Sequence, residues 1–278
     1  MISPIENHRQ REKGLLVYPV YSRRSGGLSL GINLFPDTKF CPFDCPYCEV
    51  FPFSTNAEFS AEQLDEDLRC AIAAAHEQNT VIRDICFSGN GEPSLSPFFS
   101  EALHLADRIR NSLAPGAALV LISNGAGLLQ PPIFSLLQDA ALADFPLTIW
   151  LKLDAGTGEW YQKMNNSAIP FEDLTGKIKE FAACAPLTIQ TMLCAVKGKS
   201  PPPEEAAAWE NLILELTKIA SNNTGCIRTV QIYGKVRPAP EDPLTTALPL
   251  SFLEQRAASL RQKLASAGFH LPSIEIYL

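Results

Sequence analysis

Three cysteines, Cys41, Cys45 and Cys48, stand close together in a C-x3-C-x2-C pattern. A loop this short lets three side chains converge on one metal centre, and thiolates suit zinc, copper(I) or iron–sulfur clusters. A closed structural zinc site takes four ligands, usually as two pairs. No second pair follows here, because the next cysteine, Cys70, and the next histidine, His76, each stand alone in a helical pattern.

A [4Fe–4S] cluster held by three cysteines would keep one iron open to another ligand, and cluster chemistry tolerates varied ligation. The spacing therefore favours an iron–sulfur cluster. Two alternatives stay open, a zinc loop closed by a distant fourth ligand and a set of reduced surface thiols.

A glycine-rich segment, Ser88–Pro93, follows a predicted strand. Gly89 and Gly91 would let the backbone approach a ligand closely. Exposed amides together with the Glu92 carboxylate would suit a small zwitterion with an ammonium group. The alternative is an ordinary strand-to-helix turn, because Gly, Asn and Pro are the usual turn residues.

Two further predicted strands end in polar residues. Asn124 follows one of them, and Lys152 and Asp154 end the next. Strand alternation places Trp150, Lys152 and Asp154 on one face. The carboxyl ends of parallel strands are where α/β proteins usually place their chemistry. The alternatives are a plain turn at Asn124 and a solvated surface pair of Lys152 with Asp154.

The cysteine motif, with Tyr47 just before its last cysteine, resembles the signature of the radical S-adenosylmethionine (SAM) superfamily. The lead-in segment, Tyr21–Pro36, resembles more narrowly the branch related to the wyosine synthases, which modify a guanosine of transfer RNA. The resemblance covers residues 17 to about 240. It implies that the three cysteines hold a [4Fe–4S] cluster whose fourth iron is chelated by the amino and carboxylate groups of SAM.

The resemblance also implies roles for the other motifs. Gly89, Gly91 and Glu92 are similar to the family's GGE motif, which holds the methionine amino group of SAM, although Asn90 separates the glycines here. A polar contact to the SAM ribose or the substrate is implied for Asp154. The cofactor-binding residues implied in this way are Tyr47, Gly89, Gly91, Glu92, Asn124 and Asp154; the implied metal ligands are Cys41, Cys45 and Cys48.

The activity implied is that of an oxygen-sensitive radical SAM enzyme. Its reduced cluster donates one electron to SAM, and the resulting 5′-deoxyadenosyl radical abstracts hydrogen from a substrate. Such chemistry requires a one-electron reductant such as flavodoxin or ferredoxin. The substrate is unidentified: a small molecule, a tRNA or a protein.

Two other functions remain as alternatives. The first is a tRNA-modifying enzyme of the wyosine type. The acidic charge, the lack of a basic run and the lack of a motif for a second cluster weigh against it. The second is a non-enzymatic, zinc-stabilised binding module, which predicts a colourless protein with bound zinc.

Composition limits the choice of fold and compartment. The chain has 278 residues, 46% hydrophobic and 19% charged, with a net charge of −7, which suits one large α/β domain. The acidity argues against broad nonspecific binding to a nucleic-acid backbone. Cluster-like cysteine spacing favours a reducing compartment, and neither a signal-peptide core nor an apolar run of membrane-spanning length is found. We therefore predict a cytoplasmic protein that does not enter a membrane.

Alternating strand and helix patterns predict a parallel sheet with right-handed crossovers. The predicted strands are Leu28–Leu34, Val81–Phe87, Ala118–Ile122, Leu147–Leu153, Leu187–Leu193 and Val230–Tyr233, with a short strand or brace at Leu15–Val20 and a possible edge strand at Ser273–Tyr277. The predicted helices are Ser60–Gln78, Phe98–Arg110, Pro131–Ala140, Glu159–Asn165, Phe171–Ala183, Pro203–Ala220 and Ser251–Ala267. The resemblance implies a partial (β/α)6 radical SAM barrel, open on one side. We predict a single domain over residues 1–278, with a core of about 15–240 and a C-terminal helix/strand extension of about 241–278.

The remaining charged and sulfur-containing residues give weaker signals. Arg23 and Arg24 lie on a Gly-rich turn, either as a solvated charged loop or as a site of anion capture, since guanidinium matches phosphate and carboxylate. The other five cysteines are not spaced as a second cluster, and we predict that they are small buried hydrophobes. They are Cys70, Cys86, Cys184, Cys194 and Cys226.

Overall fold

The computed structural model describes residues 14–236, 245–268 and 271–278. These residues form two compact units. The first comprises the residues up to Cys41 together with Val50–Ser123 and Phe145–Thr148; the second comprises Pro42–Glu49, Asn124–Asp144 and the residues from Ile149 onward.

The first unit is a four-stranded sheet with two helices. Its elements are β1 (Val17–Ser22), β2 (Gly27–Ile32), α1 (Ala61–Glu77), β3 (Ile82–Phe87), α2 (Phe99–Leu113) and β4 (Ala118–Ser123). The strand order is β1-β2-β3-β4. Strands β2, β3 and β4 are parallel, as predicted, whereas β1 is antiparallel to β2. Only a short turn joins β1 to β2, and a connection that short permits no crossover to a parallel partner.

Helix α1 shows how the sequence pattern determines packing in the first unit. The buried residues of α1 are Leu64, Leu68, Ile72 and Ala75. Residues three and four apart lie on one side of a helix, so these four form a single stripe against the core. Ser60 caps the helix, because its Oγ accepts a hydrogen bond from the backbone N of Gln63 at 3.2 Å.

We expect Ser60→Ala to lower the free energy of unfolding by about 1 kcal/mol, because the mutant leaves an N-terminal amide of α1 without its acceptor. Ser60→Asp should retain most of the stability, since a carboxylate is an equally good cap. Chemical denaturation gives the comparison. Ser112→Ala, at an exposed position in the last turn of α2, is the control. Equal losses at Ser60 and Ser112 would contradict the capping role.

The second unit is built on a parallel sheet in the order β5-β6-β7-β9. A short strand, β8, pairs antiparallel with β6. The strands are β5 (Leu147–Lys152), whose residues from Ile149 belong to this unit, β6 (Pro186–Ala195), β7 (Cys226–Gly234), β8 (Thr246–Ala247) and β9 (Ser273–Tyr277). The helices are α3 (Pro131–Leu142), α4 (Gly158–Asn165), α5 (Phe171–Cys184), α6 (Pro203–Ser221) and α7 (Leu250–Ala265).

Helix α6 packs closely against one face of the β5–β6 pair. Trp209 Nε1 lies 3.2 Å from the carbonyl oxygen of Leu153 and 3.1 Å from Thr191 Oγ1, and it can donate to both. A Cβ added to Gly156 would lie only 2.0 Å from the backbone N of Trp209, so glycine is required for this approach. The opposite face carries a row of polar residues across three strands. In the strand register, Lys152 lies beside Gln190, and Gln190 lies beside Gln231.

The predicted elements are present, with shifted ends. Strand β7 begins at Cys226, ahead of the predicted Val230, because its pairing with β6 continues back to Pro186. Strand β9 and helix α7 confirm the predicted C-terminal strand and helix, and β9 ends the strand order at an edge. The extent of a single domain over the whole chain stays a prediction.

The prediction for the five outlying cysteines is partly wrong. Cys86 and Cys194 are buried as predicted, Cys184 and Cys226 are half-buried, and Cys70 is exposed. Cys70 lies two positions after Leu68, a rotation of about 200° around the helix. It therefore lies on the opposite side of α1 from the packed stripe. None of the eight cysteines, all within the described residues, is in a disulfide.

Candidate functional site

The cysteine motif lies on an irregular loop whose base is closed within the first unit. Thr38 pairs with Ser54 as an isolated bridge, and the backbone N of Thr55 donates to the Asp37 carbonyl at 2.8 Å. The cysteines Cys41, Cys45 and Cys48 on this loop are all half-buried. The loop is thus anchored at its base.

In the first unit, the Gly89–Glu92 turn binds the backbone just before Cys41. The backbone N of Phe40 donates to the Asn90 carbonyl at 3.2 Å, and the backbone N of Glu92 donates to the Phe40 carbonyl at 2.9 Å. A Cβ on Gly91 would lie 2.0 Å from the Phe40 carbonyl oxygen. Gly91 is therefore needed for the approach of two chain segments, a constraint that an ordinary turn does not impose.

Two asparagines brace the same turn. Asn33 Oδ1 accepts from the backbone N of Asn90 at 3.1 Å, and Asn90 Nδ2 donates to the Phe35 carbonyl at 3.0 Å. Gly89 has φ +120°, a backbone conformation that residues with a side chain rarely adopt. Asn90, the departure from the family's GGE motif, is fully buried, so it contributes to holding the turn.

Glu92 is a buried acceptor at the entry to a short 3-10 turn. Its side chain is held by Ser94 and Ser123: Oε1 accepts from Ser94 Oγ at 2.5 Å and from Ser123 Oγ at 2.8 Å. Residue Glu92 is 2% exposed. Its orientation is therefore fixed by the protein itself.

In the second unit, Asp154 joins the cysteine loop to the end of β5. Its Oδ2 accepts hydrogen bonds from the Tyr47 hydroxyl and from Asn165 Nδ2, the latter at 3.1 Å. Its Oδ1 accepts from the backbone N of Met192 at 2.8 Å. The Asp154 side chain has 0% exposure and that of its ion-pair partner Lys152 has 15%, which excludes a solvated surface pair.

Lys152 lies between two tyrosines. Its Nζ is 3.3 Å from Asp154 Oδ2, and it donates to the Tyr233 hydroxyl at 2.5 Å. The ammonium also lies over the rings of Tyr47 and Tyr233, at 4.8 and 5.2 Å from their centroids. Burial alone would lower the pKa of Lys152, but the Asp154 carboxylate and the neighbouring Tyr233 and Cys45 raise it overall. Lys152 is therefore held as a buried cation.

Two groups of the motif in this unit, Cys45 and Tyr47, have raised pKa values. Burial raises the pKa of the Cys45 thiol to about 11, with Asp154 adding to the rise and Lys152 opposing it. Burial also raises the pKa of Tyr47 well above its ordinary value, and the Asp154 charge acts in the same direction. The Tyr47 hydroxyl therefore stays protonated and donates a hydrogen bond to the Asp154 carboxylate.

Asn124 lies in a turn of the second unit. Its side-chain Oδ1 accepts from the backbone N of Ala126 at 2.9 Å, and Gly125 has φ +84°. This is the local geometry of an Asx turn, so the plain-turn interpretation explains Asn124. Its predicted role toward a cofactor stays a prediction.

Asn165 is a residue of this region that the sequence motifs do not identify. Its Nδ2 lies 3.4 Å from Cys45 Sγ. It stands at the C-terminal end of α4, far along the chain from the cysteines, and no spacing rule relates the two. The one available signal is a cluster of three small polar residues, Asn165-Asn166-Ser167, at the end of a predicted helix.

The remaining candidates have limited structural support. Arg23 and Arg24 lie in the turn between β1 and β2. Burial raises the pKa of Asp84 and the charge of Arg24 opposes this rise, so Arg24 acts on a neighbouring carboxylate of its own unit. Among the described residues, no three Cys, His, Asp or Glu side chains are grouped closely enough to hold a single metal ion.

The chain resembles solved radical SAM enzymes across most of its length. A radical SAM methyltransferase from Sphaerobacter thermophilus matches 94% of this chain and 69% of its own, at 12% identity and a TM-score of 0.62. SuiB from Streptococcus suis, solved with the precursor peptide SuiA, matches 86% of this chain and 47% of its own, at 14% identity and a TM-score of 0.61. TYW1, solved with a lysine–pyruvate adduct, matches 90% of this chain and 84% of its own, at 15% identity and a TM-score of 0.55.

Curated relatives match a smaller part of the chain. A UPF0026 protein of Helicobacter pylori strain J99 is 30% identical over 138 residues, which cover 46% of this chain and 41% of the relative. The corresponding protein of strain 26695 is 32% identical over 133 residues, with the same coverage. The match thus spans less than half of each relative's length. No family model matches the chain.

These likenesses confirm the predicted resemblance at the level of the fold: the chain has the α/β fold of the radical SAM enzymes, a partial (β/α) barrel type with mainly parallel strands. In addition, none of the helices in the described ranges combines the length and apolar character needed to cross a lipid bilayer.

Proposed function

We propose that this chain is a radical SAM enzyme that binds a [4Fe–4S] cluster through Cys41, Cys45 and Cys48 and acts with SAM on an unidentified substrate. The observation that carries the proposal is the attachment of the motif's Cys45 and Tyr47 to a buried polar network at the end of β5. A loop of surface thiols would have no need of such a network. When bound, the two groups supply a 5′-deoxyadenosyl radical by one-electron cleavage of SAM, for abstraction of hydrogen from substrate.

The residues present fit an iron–sulfur cluster. Three thiols on one loop are soft ligands, and none is consumed in a disulfide. An amide N–H lies at hydrogen-bond distance from Cys45 Sγ, at 3.4 Å, and hydrogen bonds to cysteine sulfur are a regular part of such sites. Outer partners of this kind orient the ligands of a metal site.

We assign SAM binding to the remaining motif residues, Tyr47, Gly89, Gly91, Glu92, Asn124 and Asp154. The support is that Glu92 is held in one orientation by two serine hydroxyls, and that Gly89 and Gly91 let its turn pack directly against Asn33 and against Phe40, the residue before Cys41. A fixed carboxylate suits the ammonium group of an amino acid.

The chain's own residues would orient the cofactors and limit water. Asp154 fixes the Tyr47 ring by accepting its hydroxyl hydrogen, and Lys152 lies against that ring. Both charges are largely removed from solvent, which strengthens the electrostatic interactions between them. A one-electron reductant such as flavodoxin or ferredoxin completes the proposal, as does a reducing, cytoplasmic location.

The test is anaerobic purification and reconstitution of the wild-type chain and Cys45→Ala, with iron, sulfide and zinc analysis and an absorbance spectrum. We expect about four irons per wild-type chain. We expect loss of the cluster in Cys45→Ala, and release of 5′-deoxyadenosine from SAM under dithionite only with the wild type. Cys70→Ala, which removes an exposed thiol on α1, is the matched control and should keep its iron.

A colourless wild-type chain that holds about one zinc, and that fails to take up iron and sulfide on reconstitution, would refute the enzyme proposal. It would instead support the zinc-stabilised binding module.

A further inference from the structure

Three consecutive residues at the C-terminal end of α4 hold the cysteine loop. The backbone carbonyl of Asn165 accepts from the backbone N of Asp44 at 3.0 Å. Asn166 Nδ2 donates to Asp44 Oδ2 at 3.2 Å, and Ser167 Oγ donates to the Pro42 carbonyl at 3.1 Å. We call Asn165–Ser167 the loop clamp. All of its contacts lie within the second unit.

The Asn165 side chain adds a contact to sulfur. Its Nδ2 lies 3.4 Å from Cys45 Sγ and 3.1 Å from Asp154 Oδ2. The side-chain amide nitrogen carries two hydrogens, so it can donate one hydrogen bond to the sulfur and one to the carboxylate. The Asp154 carboxylate accepts but does not donate, which settles that Nδ2 and not Oδ1 faces the pair. Asn165 is 3% exposed, so water does not compete for either hydrogen.

The backbone at the end of α4 sets this orientation. Asn166 has φ +41° and ends the helix in the left-handed conformation, which asparagine tolerates better than most residues. Its backbone N donates to the Gln162 carbonyl at 3.2 Å. Gln162 Nε2 also donates to the Ser167 carbonyl at 2.9 Å, so both ends of the loop clamp are tied to α4.

We propose that Asn165 is a positioning residue that orients Cys45 and raises the reduction potential of the cluster bound there. The inference rests on the proposed function and deepens it. A hydrogen bond to a ligating sulfur draws electron density from it and stabilises the added electron of the reduced cluster, and hydrogen bonds to sulfur are among the determinants of cluster potential.

The test compares the wild type with Asn165→Leu, a side chain of similar size without a donor. Both are reconstituted anaerobically, and the midpoint potential of the cluster is measured by redox titration followed by electron paramagnetic resonance. We expect a lower potential in Asn165→Leu. At the wild-type midpoint, the ratio of reduced to oxidised cluster should fall about tenfold, the value of one hydrogen bond to a charged group.

Asn166→Gly is the matched control. Glycine accepts the positive φ and removes the contact to Asp44, but it leaves the Asn165 N–H to Cys45. It should keep the wild-type potential. Asn165→Ser, too short to reach the sulfur, serves the same test if the leucine variant does not retain iron.

The outcomes separate the two proposals. Full iron content with unchanged potential in Asn165→Leu or Asn165→Ser would overturn the role of Asn165 and leave the proposed function standing. A wild-type chain that takes up no cluster would overturn the proposed function and this inference with it.

Discussion

Replacing Asp154 with alanine is expected to destabilise the protein by about 3–5 kcal/mol, the cost of leaving a buried charge without its partner. Lys152 would keep its proton in a site where its side chain has 15% exposure, with no carboxylate 3.3 Å away. Hydrogen-bond donors on Tyr47, Asn165 and Met192 would lose their acceptor at the same time.

Equilibrium denaturation monitored by circular dichroism tests this expectation. Asp65→Ala is the control, because Asp65 forms an exposed ion pair with Arg69 on α1 and its loss should cost no more than about 0.5 kcal/mol. The double variant Lys152→Met with Asp154→Leu should recover part of the loss, because it leaves no buried charge. If Asp154→Ala is no more damaging than Asp65→Ala, the network is not the anchor that we describe.

Gly91→Ala is expected to be the second most damaging change, at about 3 kcal/mol or more. The added Cβ would lie 2.0 Å from the Phe40 carbonyl oxygen, a backbone atom that no rotamer change can move. Separating the two segments would break the hydrogen bonds between Phe40 and Asn90 and between Glu92 and Phe40. Overpacking costs about 1–3 kcal/mol and each lost hydrogen bond about 1 kcal/mol.

Gly116→Ala provides the matched comparison, because no atom lies within 4 Å of a Cβ at Gly116 and its φ is not positive. Both variants should be measured for unfolding midpoint and for iron bound after reconstitution. We expect Gly116→Ala to match the wild type in both, and Gly91→Ala to lose iron as well as stability, because the segment it displaces leads directly into Cys41. A Gly91→Ala protein of wild-type stability would show that the two segments are not held together.

Much of the fold could be predicted because its elements follow local rules. The buried face of α1 follows from 3.6-residue periodicity, and the Ser60 cap follows from its residue type. The side-by-side placement of Lys152 and Asp154 follows from strand alternation, and their ion pair confirms it. In each case the information lies within a few residues.

The parts that could not be predicted depend on distant contacts. Asn165 contacts Cys45 although the two are 120 residues apart in the chain, and no local sequence pattern predicts this contact. The exposure of Cys70 depends on which side of α1 packs against the core. Cysteine generally prefers the interior, but the position of Cys70 around the helix determines its exposure instead. The sequence predicts that Gly91 lets the backbone approach a ligand closely. Only the structure shows that the group packed against it is the backbone of Phe40.

The convergence of these hydrogen bonds on Asp154 has a consequence for folding during synthesis. Tyr47 leaves the ribosome more than a hundred residues before Asp154 does, and Met192, which also binds that carboxylate, follows later still. While the chain is growing, the cysteine loop therefore lacks the acceptor that orients Tyr47 and the amide that orients Cys45. Its final shape becomes available only once β5, α4 and β6 have all been synthesised, so the residues translated among the first are among the last to reach their native positions.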